Sequence, residues 1–274
     1  MRLVKSIDDY NNLLKQAKSK AKLRFTNCLF MKDDIIDLTD SKSLFYKNID
    51  NGILFFKKER GMAYLYYFLN SIENIDLSHI DGNIMIELVD RKKLNRTSSH
   101  VEGWERNAFV KYCVNEEMTI TLSQEKEYPY NEDKEYSIGF GTLEEIAAIK
   151  KLWKTSLDKI SMPLPGEKDL GKLIEDKEIV TIVDKEKNLV GALQASINNG
   201  RCLLSHIVVD KAYRGKGLGT RMINFCFSQL PVERYFLWVN EENQGAKALY
   251  TKLGFKLSTK ISIQLLKMEE ENER

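Results

Sequence analysis

One stretch constrains this chain more than any other. Leu203–Met222 reads LLSHIVVDKAYRGKGLGTRM. An apolar, β-branched run ends at Val209, a helix-forming run starts near Leu218, and Arg214-Gly215-Lys216-Gly217-Leu218-Gly219 lies between them. Glycine lets a main chain adopt positive φ and approach a ligand closely. Successive N–H groups at the start of a helix then line a concavity at the positive end of the helix dipole, which suits phosphate. Lys211, Arg214, Lys216 and Arg221 add positive charge, so a diphosphate with a further phosphate nearby fits this rim. The spacing is not that of a Walker loop, G-x-x-x-x-G-K-[ST]. Nor is it a dinucleotide fingerprint, because the glycines fall deep in the chain rather than after a first strand.

The rest of the chain divides by pattern. Ile7, Tyr10, Leu13, Leu14 and Ala17 recur at helical spacing over residues 6–20, with Ser6 as a cap. Apolar runs at Ser43–Tyr46 and Gly52–Lys57 flank a turn sequence, and Met62–Leu69 follows, which predicts an antiparallel meander. Ile84–Val89 reads as a strand, Trp104–Cys113 as a helix and Glu117–Ser123 as a strand. Gln124–Glu135 is charged, carries Pro129 and has no apolar face, so it is the linker candidate. The expected domains are therefore 1–135 and 136–274. In the second, strands are predicted at Tyr136–Phe140, Ile179–Asp184, Leu189–Ile197, Leu203–Val209 and Tyr235–Val239. Helices are predicted from Thr142, over Leu218–Leu230 and over Ala246–Leu253, an α/β unit overall. Gly103–Leu122 loosely echoes Gly245–Leu265, each giving a short helix, a break and an alternating strand.

Arg-Gly-Lys-Gly-Leu-Gly after Ile-Val-Val-Asp resembles the acyl-CoA motif [QR]-x-x-G-x-[GA] of the GNAT superfamily of N-acetyltransferases. Asn243–Phe255 (NQGAKALYTKLGF) resembles the same family's N-x-x-A-x-x-L-Y-x-K-x-G-F signature. The two motifs stand in the family's order, and the resemblance covers roughly residues 136–267. It implies a GNAT-like mixed, mostly antiparallel central sheet flanked by helices. With the internal echo, it implies two such domains in tandem, residues 1–135 being a GNAT-like copy that lost its cofactor site or else an accessory α/β domain.

The resemblance also implies roles. Main-chain groups of Ile207, Val208 and Val209 would bind the pantetheine arm of acetyl-CoA. Arg214, Gly215, Lys216, Gly217, Leu218, Gly219 and Thr220 would hold the pyrophosphate. Free strand N–H groups would stabilise the oxyanion formed when an amine attacks the thioester. Tyr250 matches the proton donor to sulfur, and is otherwise a core aromatic. Asn243 matches a residue touching the cofactor arm and also suits a helix N-cap. The base is least defined. His206 titrates in the right range, yet alternation puts Ser205, not His206, beside Ile207 and Val209, and so places His206 on the opposite surface. Ser205, Glu241 and a water chain are the other candidates. The loop Ser156–Lys168 lies where the family places substrate-contacting elements.

Composition removes competing classes. With 42 basic against 40 acidic residues, the chain lacks the surplus that a sequence-neutral grip on nucleic acid needs. The N-terminus has no apolar signal region and no run reaches membrane-spanning length. Cys28, Cys113, Cys202 and Cys226 form no C-x-x-C pair, and the chain has three histidines. A disulfide frame and a metal site are thus not expected, and a cytoplasmic location is. The expected activity is transfer of an acetyl group from acetyl-CoA to a primary amine of a small molecule or peptide, by direct attack in a ternary complex. A non-catalytic acyl-CoA-binding sensor or interaction module is the alternative, and a homodimer is compatible with either.

Overall fold

The computed structural model describes residues 1–20, 22–28, 30–59, 61–91, 97–123, 128–130 and 134–269. The chain forms two compact units, one of residues 1–115 with 259–274 and one of residues 116–258. This division differs from the one drawn at Glu135. Composition marks where a chain is polar, whereas unit membership follows strand pairing; most of the expected linker, 124–127 and 131–133, lies outside the described residues.

The elements run in the order β1 (Arg2–Leu3), α1 (Ile7–Lys20), β2 (Phe25–Thr26), α2 (Lys32–Asp40), β3 (Leu44–Ile49), β4 (Gly52–Glu59), β5 (Met62–Leu69), β6 (Asn83–Arg91), α3 (Ser98–Glu105) and β7 (Val110–Thr121). Then follow β8 (Tyr136–Phe140), α4 (Ile146–Ser156), α5 (Glu167–Glu175), β9 (Ile179–Asp184), β10 (Leu189–Asn198), β11 (Arg201–Val209), α6 (Leu218–Gln229), β12 (Arg234–Asn240), α7 (Gln244–Leu253) and β13 (Lys256–Lys267).

In the first unit the sheet runs β1-β3-β4-β5-β6-β13, with β2 added to β5. The meander β3-β4-β5 is antiparallel, and β13 pairs antiparallel with β6 from Lys260↔Arg91 to Lys267↔Ile84. Tyr10, Leu13 and Ala17 of α1 and Ile35 of α2 bury one face against Leu44, Ile53 and Phe55. The other face carries Leu54, Phe56, Leu65, Tyr67 and Trp104. In the second unit the order is β7-β12-β11-β10-β9-β8. There α4 and α5 cover one face through Ile149, Trp153, Leu170 and Ile174, meeting Ala192 and Val208. Helix α6 covers the other through Met222, Ile223 and Cys226, against Cys202, Leu204 and Leu237.

The order of elements repeats along the chain: an edge strand, two helices, a three-stranded meander, a fourth strand parallel to the third, a short helix and a long strand. This is the mixed, mostly antiparallel sheet flanked by helices that the sequence implied. Two differences matter: the first unit has the extra β2, and only the second has a helix, α6, between its third and fourth meander-side strands.

Three local expectations are corrected. Trp104–Cys113 is not one helix, because α3 ends at Glu105. The Asn107 carboxamide turns the chain by bonding the Gly103 carbonyl (2.8 Å) and the Ile75 N–H (2.8 Å), and Ala108 has φ +64°. The loop expected over Ser156–Lys168 is followed by α5. Ahead of the meander stand β2 and α2.

Candidate active site

Strand β11 is held by β10 along its length, with one irregularity. Gln194 pairs with Ser205 and Ala192 with Val208, so His206 and Ile207 together face Leu193. His206 has φ +50°. This is a β-bulge, which bends a strand and breaks its alternation. Cys202 and Leu204 face the α6 side before it, and Ile207 and Val209 face that side after it, while Val208 joins the α4 cluster. The simple alternation expected for β11 is thus corrected: Ser205 lies opposite Ile207 and Val209. His206 does face the α4 side, but packed rather than solvated. Its ring lies 5.0 Å from that of Trp153.

Already before the bulge, β11 leaves β12. The parallel pairing covers only Arg201–Leu203 with Arg234–Phe236. Asp210 donates its N–H to Val190 on β10 (2.9 Å). The preceding N–H, of Val209, therefore points the other way, into the gap between β11 and β12.

The gap leads to the basic turn. Asp210 caps a single 3-10 turn by accepting the Ala212 N–H (2.9 Å), and the Tyr213 hydroxyl donates to Asp184 (2.9 Å). Arg214 Nε donates to the Val209 carbonyl (3.1 Å). Gly215 (φ +82°) and Gly217 (φ +74°) are left-handed, and a Cβ at either would meet no atom within 4 Å. The first hydrogen bond of α6 runs from Arg221 N–H to the Gly217 carbonyl (3.1 Å). The N–H groups of Leu218, Gly219 and Thr220 thus have no helical partner and no side-chain cap. An open cradle of N–H groups at a helix N-terminus has the chemistry of a diphosphate site. Lys216 Nζ donates to the Tyr136 hydroxyl (2.9 Å) and lies over the Tyr213 ring, a pairing that raises its pKa.

Helix α7 flanks the cradle, for a Cβ on Gly219 would lie 3.5 Å from Leu249 Cδ2. The Asn243 side chain accepts the Ala246 N–H (3.0 Å), so it is an N-cap, and Gly254 (φ +101°) ends the helix. Lys247 forms an ion pair with the buried Glu116 on β7. Tyr250 is 8% exposed, and burial pushes its phenol up to about 12.

The Pro163 main chain, in the loop before α5, lies beside the His206 ring and partly opposes the effect of its burial. Nδ1 is buried without a protein partner, as is Trp153 Nε1. Burial lowers the His206 pKa, which favours the neutral ring. Trp153 is 1% exposed and forms the surface on which His206 stacks. The bulge and the Pro163 contact left no mark in the sequence beyond Pro163 itself. Among the described residues no group of His, Cys, Asp and Glu could hold a metal ion, and no helix is long and apolar enough to cross a membrane.

Comparison with known proteins agrees with this geometry. The model of the acetyltransferase (GNAT) family matches residues 146–255. The uncharacterized N-acetyltransferase YobR of Bacillus subtilis (strain 168) is 39% identical over 82 residues, 29% of this chain and 33% of that protein. The probable spermine N(1)-acetyltransferase of Bacillus subtilis subsp. natto (strain BEST195) is 34% identical over 67 residues, 23% of this chain and 44% of that protein. The chain thus matches less than half the length of either relative. A tandem GNAT protein from the clavulanic acid biosynthesis pathway, solved without AcCoA, shares the fold with a TM-score of 0.57. It is 12% identical, and 96% of each chain is covered.

Proposed function

We propose, from the match of residues 146–255 to the acetyltransferase (GNAT) family, that the protein transfers an acetyl group from acetyl-CoA to a primary amine. One observation carries the reading: β11 and β12 stop pairing beyond Leu203 and Phe236, and β11 then runs on to a left-handed glycine turn at the N-terminus of α6. The gap offers strand main chain to the amides of a pantetheine arm, through Ile207, Val208 and Val209. Gly215 to Thr220 offer N–H groups to the pyrophosphate, with Arg214 and Lys216 at the rim. Asn243, at the start of α7, lies on the helix that flanks the cradle and serves as its cap.

The acceptor nitrogen attacks the acetyl carbonyl carbon, an N–C bond forms, and the C–S bond breaks as the tetrahedral adduct collapses. Strand N–H groups facing the gap stabilise the oxyanion. Tyr250 gives the leaving thiolate a proton; a phenol held near 12 keeps that proton throughout neutral pH. His206 takes a proton from the amine. Burial favours the neutral ring, and Nδ1 makes no hydrogen bond to the protein. Nδ1 is shielded in the free chain, so the acceptor or one water must reach it in the complex.

The name of one relative makes spermine the first amine to try. The test is release of free coenzyme A thiol from acetyl-CoA with spermine, smaller diamines and peptide N-termini, beside calorimetric titration of acetyl-CoA. Tight binding with no thiol release for any primary amine would replace this reading with a non-catalytic acyl-CoA-binding module. No binding would remove the cradle assignment itself.

A further inference from the structure

The first unit repeats the strand divergence of the second, and its own chain fills the resulting gap. Parallel pairing of β5 with β6 covers only Met62–Tyr64 and Asn83–Met85. Beyond it the two strands part, as β11 and β12 do. Here, however, Asn27 stands between them. Its Nδ2 donates to the Leu65 carbonyl on β5 (2.9 Å) and to the Glu87 carbonyl on β6 (3.2 Å). Its Oδ1 accepts the Tyr67 N–H (2.9 Å). Farther along, Arg24 N–H donates to the Leu69 carbonyl (2.7 Å), and Phe25 and Thr26 pair with Leu69 and Phe68. The main-chain groups of β5 that face the gap are therefore satisfied by residues 24–27.

The chemistry of this filling is specific. A carboxamide offers one donor side and one acceptor side, as each amide of a pantetheine arm does. The half-buried Asn27 uses both on a single strand and reaches the other strand as well. The remainder of a cofactor site is missing from this unit. Where β11 is followed by the glycine turn and α6, β5 is followed by residues 70–82, whose Ile72, Ile75, Leu77 and Ile80 are buried in the core. No helix start stands there to supply unpaired N–H groups.

We propose that residues 24–28 are a built-in occupant of the gap in the first unit, standing where the second unit takes the arm of an acyl-CoA. The chain then binds one acyl-CoA, and the first unit is locked as a non-binding copy. The analogy with an arm rests on the reading of the second unit given above; the occupancy of the first unit's gap does not.

Residue-resolved amide hydrogen exchange on the full chain, with and without coenzyme A, tests both parts. Without ligand, the Tyr67 amide should exchange slowly and the Val209 amide quickly. Coenzyme A should slow Val209 and its neighbours and leave residues 65–69 unchanged, with one site per chain by calorimetry. Asn27→Ala should speed Tyr67 exchange by about tenfold or more, since a buried N–H loses its only acceptor. Amides of β3 and β4 should stay slow in Asn27→Ala, which reports that the first unit is still folded. Tyr67 exchanging as fast as Val209 in the free chain would overturn the proposal. So would two coenzyme A sites, or slowing of residues 65–69 by coenzyme A. If coenzyme A slows no amide anywhere, the reading of the second unit fails, while slow Tyr67 exchange released by Asn27→Ala still supports the built-in occupant.

Discussion

The glycine turn makes a prediction in which strain and charge can be separated. Gly217 has φ +74°, and a Cβ there meets no atom within 4 Å. Gly217→Ala and Gly217→Asp therefore incur the same kind of cost in the free protein, the left-handed backbone strain of about 1 kcal/mol. Spread over a unit of this size, that lowers Tm by about 2–4 °C in each. They differ when a diphosphate occupies the cradle. Placing the new carboxylate about 5 Å from two negative charges costs about 1.7 kcal/mol at the dielectric constant of water and about 7 kcal/mol at an effective value near 20. Acetyl-CoA should then bind the Asp variant at least about 17-fold more weakly than the Ala variant, at equal Tm. The gap should shrink from 0.1 M to 1 M salt, as the Debye length falls from about 10 Å to about 3 Å. Calorimetry at the two salt concentrations, with thermal melts of both variants, decides the matter. Equal affinities for Ala and Asp would show that no anion sits at this turn, and the site would have to be rebuilt elsewhere.

Tyr250→Phe should lower kcat by about 100-fold and leave acetyl-CoA affinity within about twofold, since only the proton donor is removed; unchanged kcat takes Tyr250 out of the chemistry. Because its phenol is held near 12 against an unfolded value of about 10, Tyr250 contributes stability that is whole below pH 10 and lost as pH rises through 12. His206 runs the other way: burial lowers its pKa below the ordinary value of about 6.5, so its contribution to stability is lost as pH falls beneath that value. If Nδ1 is the base, His206→Gln should remove the acid limb from the kcat/KM profile and lower the plateau by about 100-fold; a retained limb would reassign the base. Lys247→Met should destabilise the second unit by about 1 kcal/mol or more, read by urea unfolding, because it removes the ammonium paired with the buried Glu116 carboxylate. Glu116→Gln in the same background should restore part of that loss.

What the sequence made legible was local and repetitive. The left-handed turn at Gly215 and Gly217, the Asn243 cap and the apolar periodicity of α1, α4 and α6 each depend on residues within a turn or two of one another. The missed features depend on distant partners. Helix α5 buries only Leu170 and Ile174 and contains Gly171, so its pattern is too thin to separate from the Pro-containing loop before it. The bulge at His206 is one extra residue in β11 with no compositional mark. It nevertheless decides which side of the sheet every later residue of the strand occupies. The assignment of β13 to the first unit is a question of pairing with β6, which no local pattern contains.

The two units together argue for which features are architecture and which are function. Both have the meander, the parallel fourth strand and the divergence after three paired residues. Divergence alone therefore cannot be a sign of activity; it is what this sheet does when its third and fourth strands are parallel and part early. What separates the units is how the exposed main chain is treated. In the first, a carboxamide and a two-residue strand satisfy it, and a buried apolar segment fills the place of a helix. In the second, Val209 faces an open gap and three N–H groups at the start of α6 lack helical partners. Polar main chain unpaired within the protein is costly to leave facing an apolar cleft, and cheap where a polar ligand covers it. The second unit carries that arrangement in two adjoining places, one suited to an amide chain and the other to a diphosphate, and the proposal of a coenzyme A thioester rather than a free phosphate rests on their adjacency.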